Sequence, residues 1–151
     1  MSRSRLLLCA VYAAIALLAL VGTWRQNVAY VQPGDGAAGF ALATARFWPD
    51  TIKTPASVSI TVDIGLFFLA AAVWMVLEAR KLGIRLVWLY VVGGLLIAIS
   101  VTFPLFLIAR ERRLAAGGER TADLALTGGD TIGLVVSGLA STAFTLWTLG
   151  R

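Results

Sequence analysis

Histidine is absent from the 151-residue chain, and cysteine occurs once, at Cys9 inside an apolar run. Without these residues the chain cannot build a disulfide framework, a zinc or haem site, or a thiol–imidazole pair. Charge is also sparse. Only 14% of residues are charged against 59% apolar, and the mean hydropathy is +0.85, so few long segments can face water. This is the composition of a membrane protein. The net charge of +5 is not a nucleic-acid signal. Arg and Lys stand in short clusters at the ends of apolar runs, with no aromatic and basic platform beside them. The expected partner is the lipid bilayer, with no nucleic acid, no cofactor and no metal.

Four apolar runs are present, at about 6–23, 58–77, 86–109 and 131–149. A helix rises 1.5 Å per residue, so about 20 residues cross a hydrocarbon layer of roughly 30 Å. The expected fold is all-α: a single membrane domain over 1–151, built as a bundle of four transmembrane helices. The first run follows Arg3 and Arg5, as in a secretory signal. It is longer than the apolar core of such a signal and no small-residue cleavage site closes it, which predicts an uncleaved helix. Only "EARKLGIR" at 78–85 separates the second run from the third. So short a link predicts antiparallel neighbours and a central helical hairpin. The longest connection, 24–57, holds a turn at Pro33, Gly34, Asp35 and Gly36. "FALATARFW" at 40–48 follows, with the look of a short interfacial helix.

Four straight spans with the N-terminus inside put Arg3, Arg5, Arg80, Lys81, Arg85 and Arg151 in the cytoplasm. Arg25, Arg46, Lys53, Arg110, Arg112, Arg113 and Arg120 are then outside. That count does not separate the two orientations, and the "RERR" at 110–113 speaks against this one. The two arginines ahead of the first run, with no acid among them, favour an inside N-terminus.

Asp63 interrupts "VSITVDIGLFFL", and an ionisable group within a span is costly enough to be a functional candidate. Counting across the link between straight helices puts it level with Ser100, close to Thr102. Pro104 has no N–H for the carbonyl of Ser100, which leaves an acceptor at that depth. Ser59 lies one turn from Asp63, and Asn27 ends the first span at a similar level. The candidate intramembrane polar cluster is therefore Asp63, Ser59, Ser100, Thr102, Pro104 and Asn27. It is either a register-fixing set of interhelical hydrogen bonds or the wall of a small pocket.

Glu78, Arg80, Lys81 and Arg85 form an interfacial charge cluster, with Glu78 expected to pair with Lys81 or Arg85. Trp74, Trp88 and Tyr90 nearby read as belt residues. In the fourth run Gly129, Gly133, Ser137, Ser141 and Thr145 recur every four residues. Such a stripe lets backbones approach closely and predicts a helix-packing face, within the monomer or against a partner.

"TWRQN", "FALATARFW", "DIGLFFLAAAVWMVLEARKLGIRLVWLY" and "SVTFPLFLIARER" together resemble the small bacterial membrane proteins grouped as domain of unknown function 2834. The matching positions include Asp63, Trp74, Glu78, Arg80, Gly83, Trp88, Ser100, Pro104, Leu105, Phe106, Leu107, Arg110 and Glu111. The resemblance covers roughly 5–113 and implies an integral protein of a bacterial inner membrane. It implies no activity.

With no catalytic residue set, the expectation is a non-enzymatic, multi-pass structural or accessory component. It would act through helix–helix contacts with a larger membrane assembly or as a homo-oligomer. The alternative is a small lipid- or apolar-ligand-binding protein, or a minimal transporter, with a polar pocket at Asp63.

Overall fold

A computed structural model describes residues 2–117 and 127–150. These residues form six α-helices: α1 (Arg3–Asn27), α2 (Gly39–Asp50), α3 (Pro55–Leu82), α4 (Val87–Gly93), α5 (Ile99–Ala116) and α6 (Gly128–Leu149). Four segments are long and apolar enough to cross a membrane: Arg3–Tyr30, Pro55–Leu82, Val87–Ala116 and Gly128–Leu149. The chain is an all-α membrane protein of four such segments with a central hairpin.

Local chemistry sets the ends of the helices. Thr54 caps α3, accepting from the Ser57 N–H while the Ser57 hydroxyl accepts from the Thr54 N–H, and Pro55 takes the first helical position, where its missing N–H costs nothing. Gly83 ends α3 at φ 65° and ψ 31°, a left-handed conformation that glycine adopts without strain. The same arrangement of Thr127 and Asp130 opens α6. α2 occupies the stretch read as a short interfacial helix.

The third apolar segment is not a straight rod. α4 runs into one wider π turn at Gly94–Ala98, and Ala98 is extended at φ 178° and ψ 142°. There the chain turns back on itself. Tyr90 and Phe106 would be about 24 Å apart along a continuous helix, yet their ring centroids are 5.6 Å apart. Two glycines allow the close return. A β-carbon on Gly93 would stand 3.2 Å from Cγ2 of Thr102; one on Gly94 would stand 2.9 Å from Cε2 of Phe68.

α5 therefore runs parallel to α3, with Phe67 beside Phe103, Trp74 beside Phe103 and Phe106, and Glu78 beside Arg110. α1 lies antiparallel to α5, with Arg5 at its start against Glu111 near the end of α5. The core sits between α3, α4 and α5. Ala71, Met75, Ala79, Ile84, Val87, Val91, Ile99 and Phe106 pack together there. α6 contributes no buried residue and meets α1 near its own end, where a β-carbon on Gly22 would stand 3.1 Å from Cγ2 of Thr145.

Candidate functional site

The polar cluster expected around Asp63 does not assemble. Asp63 and Ser59 are exposed on α3, and Asp63 makes no hydrogen bond or ion pair among the described residues. Ser100 is exposed, while Thr102 is buried, its hydroxyl donating to the Ala98 carbonyl at 3.4 Å and its methyl lying over Gly93. Pro104 is buried in the second turn of α5, and Asn27 ends α1 half-buried. The cause is the reversal at Ala98. It turns Thr102 inward onto α4 instead of across to α3. The depth of Asp63 also has a simple account: the Thr61 hydroxyl, two residues earlier, donates to the Thr51 carbonyl at 3.0 Å. The polar loop thus covers α3 to within half a turn of Asp63, which places this carboxylate near the end of the apolar span, where its cost is small.

The reversal also rearranges the charge cluster. Glu78 accepts from Nε of Arg110 at 2.8 Å, and Lys81 stands 4.0 Å away. Arg110 donates to Glu111 at 2.8 Å. The carboxylate of Glu111 lies 3.9 Å from Nε of Arg5, whose NH1 donates to the Glu111 carbonyl at 3.2 Å. Arg5 and Glu111 are only 4% and 6% exposed. Glu78 thus pairs chiefly with Arg110 on α5; Arg80 and Arg85 form no ion pair among the described residues. One chain of charges, Lys81–Glu78–Arg110–Glu111–Arg5, ties α1, α3 and α5 at a single end of the bundle. Straight spans would place Glu78 and Arg110 at opposite ends. The signal for their meeting was the Gly93–Gly94 pair in the middle of an apolar run.

At that end lie Arg3, Arg5, Arg80, Lys81, Arg85, Arg110, Arg112 and Arg113, eight basic residues among those described, gathered around the carboxylates Glu78 and Glu111. Arg120 and Arg151, counted in the sequence, lie outside the described residues. The opposite end holds Arg25, Arg46 and Lys53. There Arg46 forks onto both oxygens of Asp35 at 2.7 and 2.8 Å and donates to the Tyr30 carbonyl at 3.0 Å. Tyr30 donates to Asp50 at 2.9 Å, and Lys53 pairs with Asp50 at 2.6 Å. The Arg46 guanidinium and the Gln32 N–H pull the Asp35 carboxyl down to about 2. Lys53, then Tyr30, lower the Asp50 carboxyl. These contacts hold α2 against the segment 28–35 that follows α1. Trp24 stacks on Phe40 at 6.0 Å and buries its indole N–H with no hydrogen-bond partner among the described residues.

Of the aromatics read as a belt, Trp74 and Trp88 are both exposed and Tyr90 is half-buried; Trp74 and Tyr90 each meet the buried ring of Phe106 edge-on. The small-residue stripe of α6 is open along most of its length: Gly129, Gly133, Ser137 and Ser141 are exposed, and a β-carbon on Gly133 would meet nothing within 4 Å. Thr145, at the far end, is the one half-buried member of the stripe, with its Cγ2 against Gly22 of α1. Among the described residues no group of His, Cys, Asp and Glu gathers as for a metal ion. A shallow cleft between the start of α4 and the end of α5 is lined by Ile84, Arg85, Leu86, Tyr90, Ala109 and Arg113.

A family model described as "Protein of unknown function DUF2834" matches residues 11–112. No curated protein and no solved structure matches the chain.

Proposed function

The chain belongs to the DUF2834 family of proteins of unknown function, and from that premise we propose that it is a structural or accessory component of a bacterial inner membrane, acting through helix–helix contacts with α6 as its docking face. The observation that carries this reading is the open stripe of α6. An apolar helix of 22 residues with no buried residue and small side chains at every fourth position is shaped for close approach by another helix. The reading contains no catalytic step. The lack of His and the confinement of the single Cys to α1 support that. Asp63 stands exposed on α3 with no hydrogen bond or ion pair among the described residues, so the alternative of a ligand held there gains no support from that position.

The same reading orients the chain with its N-terminus in the cytoplasm. Eight basic residues at the Arg5–Glu111 end against three at the other favour that end on the inside.

Cysteine placed at Gly133 or Ser137 in a Cys9→Ser background, oxidised in native membranes, tests the docking face. The expected product is one discrete adduct, either a dimer or a single partner. Cysteine at Leu69, an exposed position on α3, should give none. Equal and diffuse cross-linking from both helices would overturn the proposal.

A further inference from the structure

The fold-back at Ala98 brings together two arginines 28 positions apart. Arg85 follows the turn into α4, Arg113 lies in the last turns of α5, and both line the cleft of about 460 Å³ with Ile84, Leu86, Tyr90 and Ala109. Among the described residues no carboxylate answers them. Glu78 is engaged by Arg110 and Lys81, and Glu111 by Arg110 and Arg5. Among the described residues Arg85 and Arg113 make no ion pair.

The rest of the cleft is apolar. Ile84 is buried in its floor, Tyr90 and Ala109 are half-buried, and Leu86 stands exposed at the rim. Trp88 and Leu89, also exposed, continue this apolar surface along α4, on a segment whose composition suits the hydrocarbon layer. Two unanswered guanidiniums beside a lipid-facing apolar wall match a molecule with a phosphate at one end and acyl chains at the other. A guanidinium presents paired N–H donors that fit phosphate oxygens, and basic pockets between membrane helices hold anionic headgroups in this way.

We propose that Arg85 and Arg113 bind the phosphate of an anionic phospholipid, with its acyl chains lying along Leu86, Trp88 and Leu89. A free phosphate would leave that apolar rim unused, which is why lipid is the assigned source. The site is independent of α6 and of the docking role proposed for it.

Native mass spectrometry of the full-length protein in detergent, titrated with phosphatidylglycerol or phosphatidylcholine, tests this. Phosphatidylglycerol should bind preferentially, and Arg85→Gln with Arg113→Gln should weaken it about tenfold or more. Arg3→Gln with Arg112→Gln removes the same charge from the same end but outside the cleft, and should change binding less than about threefold. Ala109→Trp fills the cleft and keeps both charges; it should also abolish the preference, and it decides the matter if the double arginine variant does not fold. Equal losses from the two arginine pairs, no lipid preference in the unaltered protein, or displacement of the lipid by millimolar inorganic phosphate would each overturn the proposal.

Discussion

Gly93 and Thr102 touch. Along a straight helix they would be separated by about 13 Å, but a β-carbon on Gly93 would lie 3.2 Å from Cγ2 of Thr102. This contact exists because Ala98 is extended and α5 returns along α4. The core, the charge network and the Arg85–Arg113 cleft all depend on it.

The return has little room to spare at Gly94. A β-carbon there would lie 2.9 Å from Phe68, 3.1 Å from Oγ1 of Thr102 and 3.3 Å from Ile99. Gly94→Ala should destabilise the protein by about 1–3 kcal/mol, the usual cost of overpacking. Gly65→Ala, where nothing lies within 4 Å, should be neutral or slightly stabilising because it adds helix propensity. Thermal unfolding of the two variants in the same detergent compares them directly. A straight third helix predicts no difference between them.

Glu111 serves two guanidiniums at once, those of Arg5 and Arg110. Glu111→Gln removes a buried carboxylate from between them and should cost about 3 kcal/mol, as for breaking a buried ion pair from one side. Arg80→Gln, on the exposed side of α3, should stay within about 0.5 kcal/mol. A double-mutant cycle between Glu78→Gln and Arg110→Gln should show coupling, since each removes the same 2.8 Å contact. Additive losses would show that the two side chains do not meet.

Much of this was legible in the sequence, and the failures share one cause. Hydropathy located the four apolar segments but set the second at 58–77, short of α3 at both ends, where Thr54 with Pro55 and Gly83 carry the start and stop signals. Hydropathy measures how apolar a segment is, not which way it runs. A run such as 86–109 looks the same straight or doubled back. Counting depth across the link assumed a straight rod, so Glu78 and Arg110 were set at opposite ends and Ser100 and Thr102 were aimed at Asp63. Two clues were present: the adjacent glycines 93 and 94 in "VVGGLL", and a positive-inside count that "RERR" kept from resolving. Asp63 was conspicuous by residue type, whereas its level relative to the Thr51–Thr61 contact could be known only from the fold.

At the opposite end of the bundle, acid should loosen the connection before it affects the core. The Arg46 guanidinium holds the Asp35 carboxyl at about 2, below its ordinary 3.8. A carboxyl depressed in the folded state contributes its stability in full above the ordinary value and loses it as pH falls toward the lowered one. Asp50 shifts in the same direction, through Lys53 and then Tyr30. Amide exchange of residues 30–53 should therefore rise as pH is lowered from about 4 to about 2, ahead of any change in α5. Arg46→Gln should move that onset upward, toward the ordinary carboxyl value. An onset unmoved by Arg46→Gln would separate Asp35 from the stability of this connection.

The return at Ala98 also changes what the termini report. With four straight crossings, an inside N-terminus requires an inside C-terminus. If the third segment enters and leaves by the same face, as the Glu78–Arg110 and Arg5–Glu111 contacts require, only α1, α3 and α6 are left to cross. Three crossings from an inside start put the C-terminus outside. An alkaline phosphatase fused after residue 150 should then be active and a green fluorescent protein at the same place dark, with the reverse at the N-terminus. A third reporter pair fused after Gly117 separates the explanations: it should report the inside, because α5 ends beside the turn at Ile84, which lines the same cleft as Ala109 and Arg113. An outside report after Gly117 with an inside C-terminus would mean that 87–116 crosses as a single rod, and that the shared face of Arg85 and Arg113 does not exist in the membrane.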